Sequence, residues 1–312
     1  MPQDRTPTVR YRNATAFLAL GAIWGSAFVA IKAGLSAFPP VLFAALRYDV
    51  AGVIVLGYAA VVTDPLPANR RDLAAIIVGS TLLIAGYHAL LFVGELETTS
   101  ATAAVIVSLS PVLTAGFARL ALPGDRLSVA GVAGLALGFA GVVVIAQPDP
   151  ARLLSSDVLG PLLVFGAACA FALGSVLTRW LDAELSIEAM EGWSMVGGAV
   201  LMHVLSLALG ESPAAIGWTP TALLSLGYLS LVASALGFLL YFALLDRLGP
   251  VEINLVSYVA PVFAALTGFL LLGERIDVAT ASGFVVILVG FVLLKRDAIR
   301  ETYAGWLAEA QP

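Results

Sequence analysis

The chain has 312 residues, of which 60% are hydrophobic and 12% charged, with a net charge of −5. Soluble domains run at about 45–50% apolar and about 25% charged, so this composition lacks the polar groups that cover a water-facing surface. It reads as a membrane protein in contact with the lipid bilayer, and the acidic balance without any basic run excludes a nucleic-acid partner.

The first 13 residues are polar and carry Arg5, Arg10 and Arg12. The apolar stretch behind them is too long for a signal-peptide h-region, so they are expected to remain as a cytoplasmic segment ahead of a retained first helix. A helix needs roughly 20 mostly apolar residues to cross the hydrocarbon core. Ten stretches qualify: 14–34, 38–62, 72–94, 98–120, 128–147, 158–179, 187–209, 219–244, 250–272 and 279–295. Short connections with Pro39-Pro40, Pro123-Gly124-Asp125 and Leu248-Gly249-Pro250 separate them. Barrel strands would be about ten alternating residues, so helices are expected. With the N-terminus inside, twelve Lys and Arg fall on the inner side, against Lys32, Arg47, Arg152 and Arg275 outside. Both termini are therefore expected in the cytoplasm, residues 296–312 as a loose tail, with the chain in the plasma membrane.

The chain repeats itself. Ser110-Pro111-Val112 returns as Ala260-Pro261-Val262, Gly124-Asp125-Arg126 as Gly273-Glu274-Arg275, Gly134 and Gly141 as Gly283 and Gly290, and Gly25-Ser26 as Gly174-Ser175. The offset is 149 or 150 residues throughout. Each half, 14–147 and 158–295, holds five predicted spans, an odd number, so the second must enter the membrane in the opposite sense. The expected fold is all-α, ten transmembrane helices arranged as two inverted five-helix repeats, an architecture recurrent among secondary transporters.

Trp24-Gly25-Ser26-Ala27-Phe28 with Lys32, Pro40 with Arg47, Thr98-Thr99-Ser100-Ala101 running to Pro111, and Leu248-Gly249-Pro250 running through Pro261 to Gly273-Glu274-Arg275 form an ordered set. Through it, over nearly all of 14–295, the chain resembles the drug/metabolite transporter superfamily in its EamA-type ten-helix branch. It departs at Asp125, where that family usually has Glu, as the second half does. The resemblance implies a basket-like bundle around a central cavity and export or exchange of small metabolites, among them amino acids, amines, nucleosides and drugs. It also places Tyr241 and Asn254 on cavity-lining helices, with Asn254 in mid-helix surroundings.

An ionisable group within a span costs at least about 2.5–3.5 kcal/mol, so each is a functional candidate. His88, deep in the third span, is read either as a proton-coupling or substrate-binding group or as a neutral ring bonded to a nearby carbonyl. Arg47 and Glu95, both in the outer half, either pair, snorkel, or hold opposite ends of a zwitterion. Trp24, Ser26 and its repeat mate Ser175 are candidate cavity residues, while Gly21 and Gly25 fit close helix packing. Pro111 and Pro261 sit inside their helices and are candidate hinges. His203 is expected to be structural.

No P-loop, His-Glu-x-x-His or Gly-x-Ser-x-Gly pattern and no Cys/His cluster occurs, so no cofactor or metal is called for and the chain is not expected to be an enzyme. The partner expected is a small-molecule substrate, with a homodimer left open. An intramembrane lipid-modifying enzyme is the alternative, as is a non-transporting receptor. The enzyme would need paired catalytic groups at one depth, whereas His88 and Glu95 are expected about 10 Å apart along the helix.

Overall fold

The computed structural model describes residues 7–121, 129–147, 156–249, 253–294 and 296. The repeat residues Gly124, Asp125 and Arg126, the charges Lys295 and Arg300, and the expected tail over 297–312 lie outside them. Among the described residues all regular structure is helical.

The helices are α1 (Pro7–Gly34), α2 (Pro40–Val62), α3 (Arg70–Gly94), α4 (Ser100–Val107 resuming as Ser110–Ala121) and α5 (Val129–Ala146). After residue 155 come α6 (Ser156–Leu181), α7 (Ile187–Ala208), α8 (Pro220–Leu248), α9 (Val256–Leu272) and α10 (Val278–Leu294). Among the described residues six helices, α1 to α4, α6 and α8, are long and apolar enough to cross a membrane. Three others, α5, α9 and α10, are apolar but shorter, and α7 is an unbroken helix whose sequence includes Glu188, Glu191 and His203. Large apolar side chains such as Val61, Leu271 and Val278 are more than 70% exposed on the outside of the bundle, the surface that lipid covers.

Local sequence explains where these helices start and stop. Asn69, Thr99, Ser186 and Thr219 each accept a backbone N–H from the first turn of α3, α4, α7 and α8, satisfying donors that lipid cannot. Gly249 and Gly273 close α8 and α9 at φ +83° and +67°, a region that favours glycine. The expected boundaries hold within a few residues except at the start of α1, which begins at Pro7 within the segment expected ahead of it rather than at 14, and in α9. Its continuous helix begins at Val256, six residues later than expected, because Asn254 and Leu255 form a turn.

Two features of α3 and α8 are invisible to hydropathy. Residues Gly79–Gly86 and Tyr228–Leu236 are wound as π-helix, and the Tyr87 and Gly237 amides reach back five residues to Leu82 and Val232. The two wide segments are themselves 149 or 150 residues apart.

Packing is likewise exchanged between the halves. A side chain at Gly134 would meet the Gly290 carbonyl and one at Gly290 the Gly134 carbonyl; Gly141 and Gly283 stand in the same mutual relation. So α5 and α10 run antiparallel, backbone against backbone, the close approach that small residues permit in lipid. Helices α2 and α7 also lie antiparallel. Glu211, beyond α7, accepts from the Val41 and Leu42 amides at 3.1 and 2.8 Å, while Thr63, beyond α2, bonds the Ser186 cap at 3.0 Å. The buried centre between them holds Phe43, Tyr48, Phe92, Met195 and Leu229.

Candidate functional site

Arg47 lies two turns into α2 and is 6% exposed. Pro40 at the first helical position fixes where α2 begins, and so how deep Arg47 sits. Its Nε donates to the Ser234 hydroxyl at 2.8 Å, on the π-helical part of α8, and the guanidinium lies 5.0 Å from the Tyr48 ring centre. Its two terminal nitrogens have no hydrogen-bond partner among the described residues. Tyr48, Tyr87, His88, Glu95 and Tyr228 all lie within electrostatic reach of this one cation.

His88 is fixed at both nitrogens. Nδ1 faces the Ile84 carbonyl at 2.9 Å and Nε2 the Tyr48 hydroxyl at 2.7 Å. A carbonyl only accepts, so Nδ1 carries a proton; in the neutral ring Tyr48 then donates to Nε2. The wide π-helical turn Gly79–Gly86, directly ahead, sets the phase at which α3 presents His88 to α2. The Nδ1 contact is that of a carbonyl-bonded ring, and the Nε2 contact holds Tyr48 and thereby the aromatic face beneath Arg47.

Across the bundle α1 meets α8. Ser26 and Tyr228 share a 2.7 Å hydrogen bond, and the Tyr228 hydroxyl lies 3.0 Å from the Ile23 carbonyl, to which it donates. Trp24 donates from its indole to the Ala233 carbonyl at 3.2 Å and packs against Phe238 and Tyr241, with ring centres 5.8 and 5.5 Å away. A π-helix leaves carbonyls poorly matched along its own axis, and Trp24 takes one of them.

Glu95 caps the C-terminal end of α3 and is fully buried. It is the one described carboxylate with both oxygens buried and unpartnered. Lys32, at the end of α1, does not reach it; its ammonium donates instead to the Glu95 and Leu96 backbone carbonyls at 2.6 and 3.0 Å. Nor do Arg47 and Glu95 form the ion pair that their sequence positions allowed, because Arg47 is turned toward α8. Beside Glu95, Glu274 accepts from the Ser100 amide and hydroxyl, so the loop after α9 holds the first turn of α4.

The remaining expected residues lie apart. Ser175 donates to the Phe171 carbonyl of its own helix and joins no partner from another. Asn254, expected in mid-helix, is exposed on the turn before α9, where its amide needs no protein partner. Pro111 follows a two-residue interruption of α4 at Ser108 and Leu109, and the Ser110 hydroxyl bonds the Val107 carbonyl that proline leaves free. Pro261 lies within unbroken α9. His203 pairs with Asp49 at 2.8 Å.

Sequence reading missed Tyr48, Tyr228 and Ser234, whose only signal is their place beside Arg47 or in the repeat. It also missed Glu191 of α7, which lies within electrostatic reach of Tyr48 and Tyr241.

Residues 13–147 and 158–296 each match the EamA-like transporter family. The chain belongs to that family. Among its relatives are the uncharacterized inner membrane transporter YedA of Escherichia coli K12, 29% identical over 89% of each chain, and the uncharacterized transporter YoaV of Bacillus subtilis, 26% identical over 87% of this chain and 92% of the other. A third, named a probable terminal-alkyne amino-acid exporter, comes from Streptantibioticus cattleyicolor and is 29% identical over 88% of this chain and 91% of its own. One crystal structure superposes with a TM-score of 0.65 at 23% identity, covering 93% of this chain and 98% of that one, and shares the fold. The EamA protein described here is thus a multi-pass integral membrane protein of a transporter family.

Proposed function

We propose that this EamA protein is a secondary carrier or facilitator that exports small metabolites by alternating access between two inverted five-helix halves, 14–147 and 158–295, with both termini in the cytoplasm. The reciprocal glycine contacts of α5 with α10, the antiparallel α2–α7 pair and the two π-helical segments at one offset all support ten crossings related by a two-fold. The substrate site lies where α2 of the first half meets α8 of the second. Pro111, with its broken helix, is the hinge that the geometry favours over Pro261.

One observation carries the site: a buried guanidinium, held by one nitrogen, with its terminal nitrogens unpaired. A largely buried guanidinium that uses one of its donors leaves a planar fork free, which suits a carboxylate or another anionic group. The tyrosines and Trp24 supply an apolar wall beside it, as in small-molecule sites generally. An amino acid satisfies both features, and one relative carries an amino-acid exporter's name. No described contact favours the intramembrane enzyme, because His88 and Glu95 do not meet.

The test is flux of a pooled metabolite library through proteoliposomes, read by mass spectrometry, for the native protein and Arg47→Ala. A charge-assisted hydrogen bond is worth about 1.5–3 kcal/mol, so Arg47→Ala should cut transport of the native substrates about tenfold or more. Absence of any flux through well-folded native protein would overturn the carrier reading.

A further inference from the structure

Nothing within Tyr228–Leu236 forces its wide turn, because the segment has neither proline nor glycine. The turn shows itself in one carbonyl. In an α-helix the Gly237 amide would go to Ala233, four residues back; here it goes to Val232 and Ser234 and passes Ala233 over. Ala233 is fully buried, and a buried carbonyl without its helical donor needs another one. The Trp24 indole of α1 supplies it at 3.2 Å. The next residue, Ser234, carries the hydroxyl that accepts from Arg47 Nε at 2.8 Å. One wide turn thus joins α1, α8 and α2 through adjacent residues.

The corresponding turn of α3 lacks this donor. There the Tyr87 amide goes to Leu82 and Ile84 and passes over Leu83. Counting 149 or 150 residues on from Trp24 reaches Leu173 or Gly174, neither with a side-chain donor. No side-chain donor among the described residues takes the Leu83 carbonyl. Facing that turn from α7 are Gly197 and Gly198, which bring no cation to hold. Glycine ends both turns: a side-chain carbon at Gly86 would come within 2.9 Å of the Thr81 carbonyl, and one at Gly237 within 3.3 Å of the Val232 carbonyl, each five residues back. Both turns are therefore permitted alike, and the indole is present only where Arg47 rests on the turn.

From this difference we infer that Trp24 is a positioning residue for the substrate site. Its N–H holds α8 in the wide register, that register sets Ser234 against Arg47 Nε, and Ser234 fixes the guanidinium with its terminal nitrogens free for the substrate's anionic group. This rests on the functional reading above and deepens it. Without the indole N–H, the Ala233 carbonyl regains a donor by taking the Gly237 amide, which narrows the turn. Each residue of an α-helix turns by about 100°, so a one-residue change of register takes Ser234 off the face that meets α2. Arg47 then loses its anchor and the fork its aim.

Trp24 also packs on Phe238 and Tyr241, so its N–H has to be tested apart from its ring. Trp24→Phe keeps an aromatic ring and removes the donor. Benzothienylalanine, introduced at position 24 of the full-length protein, keeps the double ring and puts sulfur in place of the N–H. Proteoliposomes are offered an equimolar mixture of L-amino acids at rising concentration, with uptake read by mass spectrometry. Ser234→Ala should raise the half-saturating concentration about tenfold. Either change at position 24 should do the same, and adding it to Ser234→Ala should raise the value no further, because both act through one bond. Effects that multiply, to about a hundredfold together, would overturn the inference and make Trp24 a direct contact of the substrate. So would native-level transport by the benzothienylalanine protein, an arm that decides even if Trp24→Phe fails to fold.

The second measurement needs no substrate. In protein labelled with nitrogen-15 arginine, the Arg47 Nε–H resonance is assigned by its loss in Arg47→Lys. It should move in the benzothienylalanine protein in the same direction as in Ser234→Ala, and a resonance left at its native position would overturn the inference. If no amino acid is carried, the amino-acid reading of the site fails, and this resonance alone decides the role of Trp24.

Discussion

Residues 13–147 and 158–296 match the same family and fold into corresponding helices, yet they carry different chemistry. Counting 149 or 150 residues on from Arg47 reaches Val196 or Gly197, from His88 reaches Phe238, and from Glu95 reaches Leu244 or Leu245. What recurs is what packing needs: paired glycines, a proline in the fourth and ninth helices, and a π-helical turn in the third and eighth. What does not recur is ionisable. The first half supplies charges at the site, and the second supplies the surfaces they rest on, Ser234, Tyr228, Phe238 and Tyr241. The two halves thus share backbone and packing features, while each of these ionisable groups occurs once.

The sharpest way to break that comparison is through the shared frame. Gly290→Val would drive a branched side chain into the Gly134 carbonyl and the Gly138 amide, which are backbone and cannot step aside. Overpacking of this kind costs about 1–3 kcal/mol and sometimes more. Gly134→Val, its exchanged mate, should cost a similar amount. Thermal unfolding in detergent measures both, and a large effect at one position with none at the other would show that the α5–α10 contact is not reciprocal.

A smaller effect is expected from making the first half chemically like the second. His88→Phe installs the residue found 150 positions on. It removes the acceptor of the buried Tyr48 hydroxyl, and a buried donor left unsatisfied costs about 1–3 kcal/mol. Adding Tyr48→Phe removes the orphan and should recover a good part of the loss. Independent, additive effects of the two substitutions would mean that the 2.7 Å contact does not couple them.

How much of this could be read from sequence follows the same division. Hydropathy and caps located most helices, because lipid permits only self-satisfied backbone and the ends must be capped by nearby residues. The repeat was legible because glycine and proline mark backbone events. The π-helical turns were not, since a wider register comes from what packs against the helix, here Ser194, Gly197 and Gly198 of α7 against Gly79, Ser80 and Ile84. Arg47, His88 and Glu95 stood out because charge in a span is expensive. Tyr228 and Ser234 did not, because serine and tyrosine are ordinary there and their partners lie some 190 to 200 residues away. Ser175 and Asn254 were expected at the site by analogy of position alone, and no contact between helices draws them in.

The smallest effect concerns a hydrogen bond between side chains, His203 to Asp49, which crosses from one half to the other. His203 of α7 and Asp49 of α2 meet at 2.8 Å with side chains 37% and 43% exposed on the outside of the bundle. Polar contacts between helices in a bilayer average about 0.6 kcal/mol, because the separated helices find other partners. Substituting both residues, His203→Leu with Asp49→Leu, removes the pair without leaving either group alone in lipid. The double variant should therefore lie within about 1 kcal/mol of the native protein in thermal unfolding and transport the same compounds. A cost larger than that of His88→Phe would invert the ranking argued here. It would make the surface contact between the halves, rather than the buried contact inside the first, the polar interaction that holds the bundle in register.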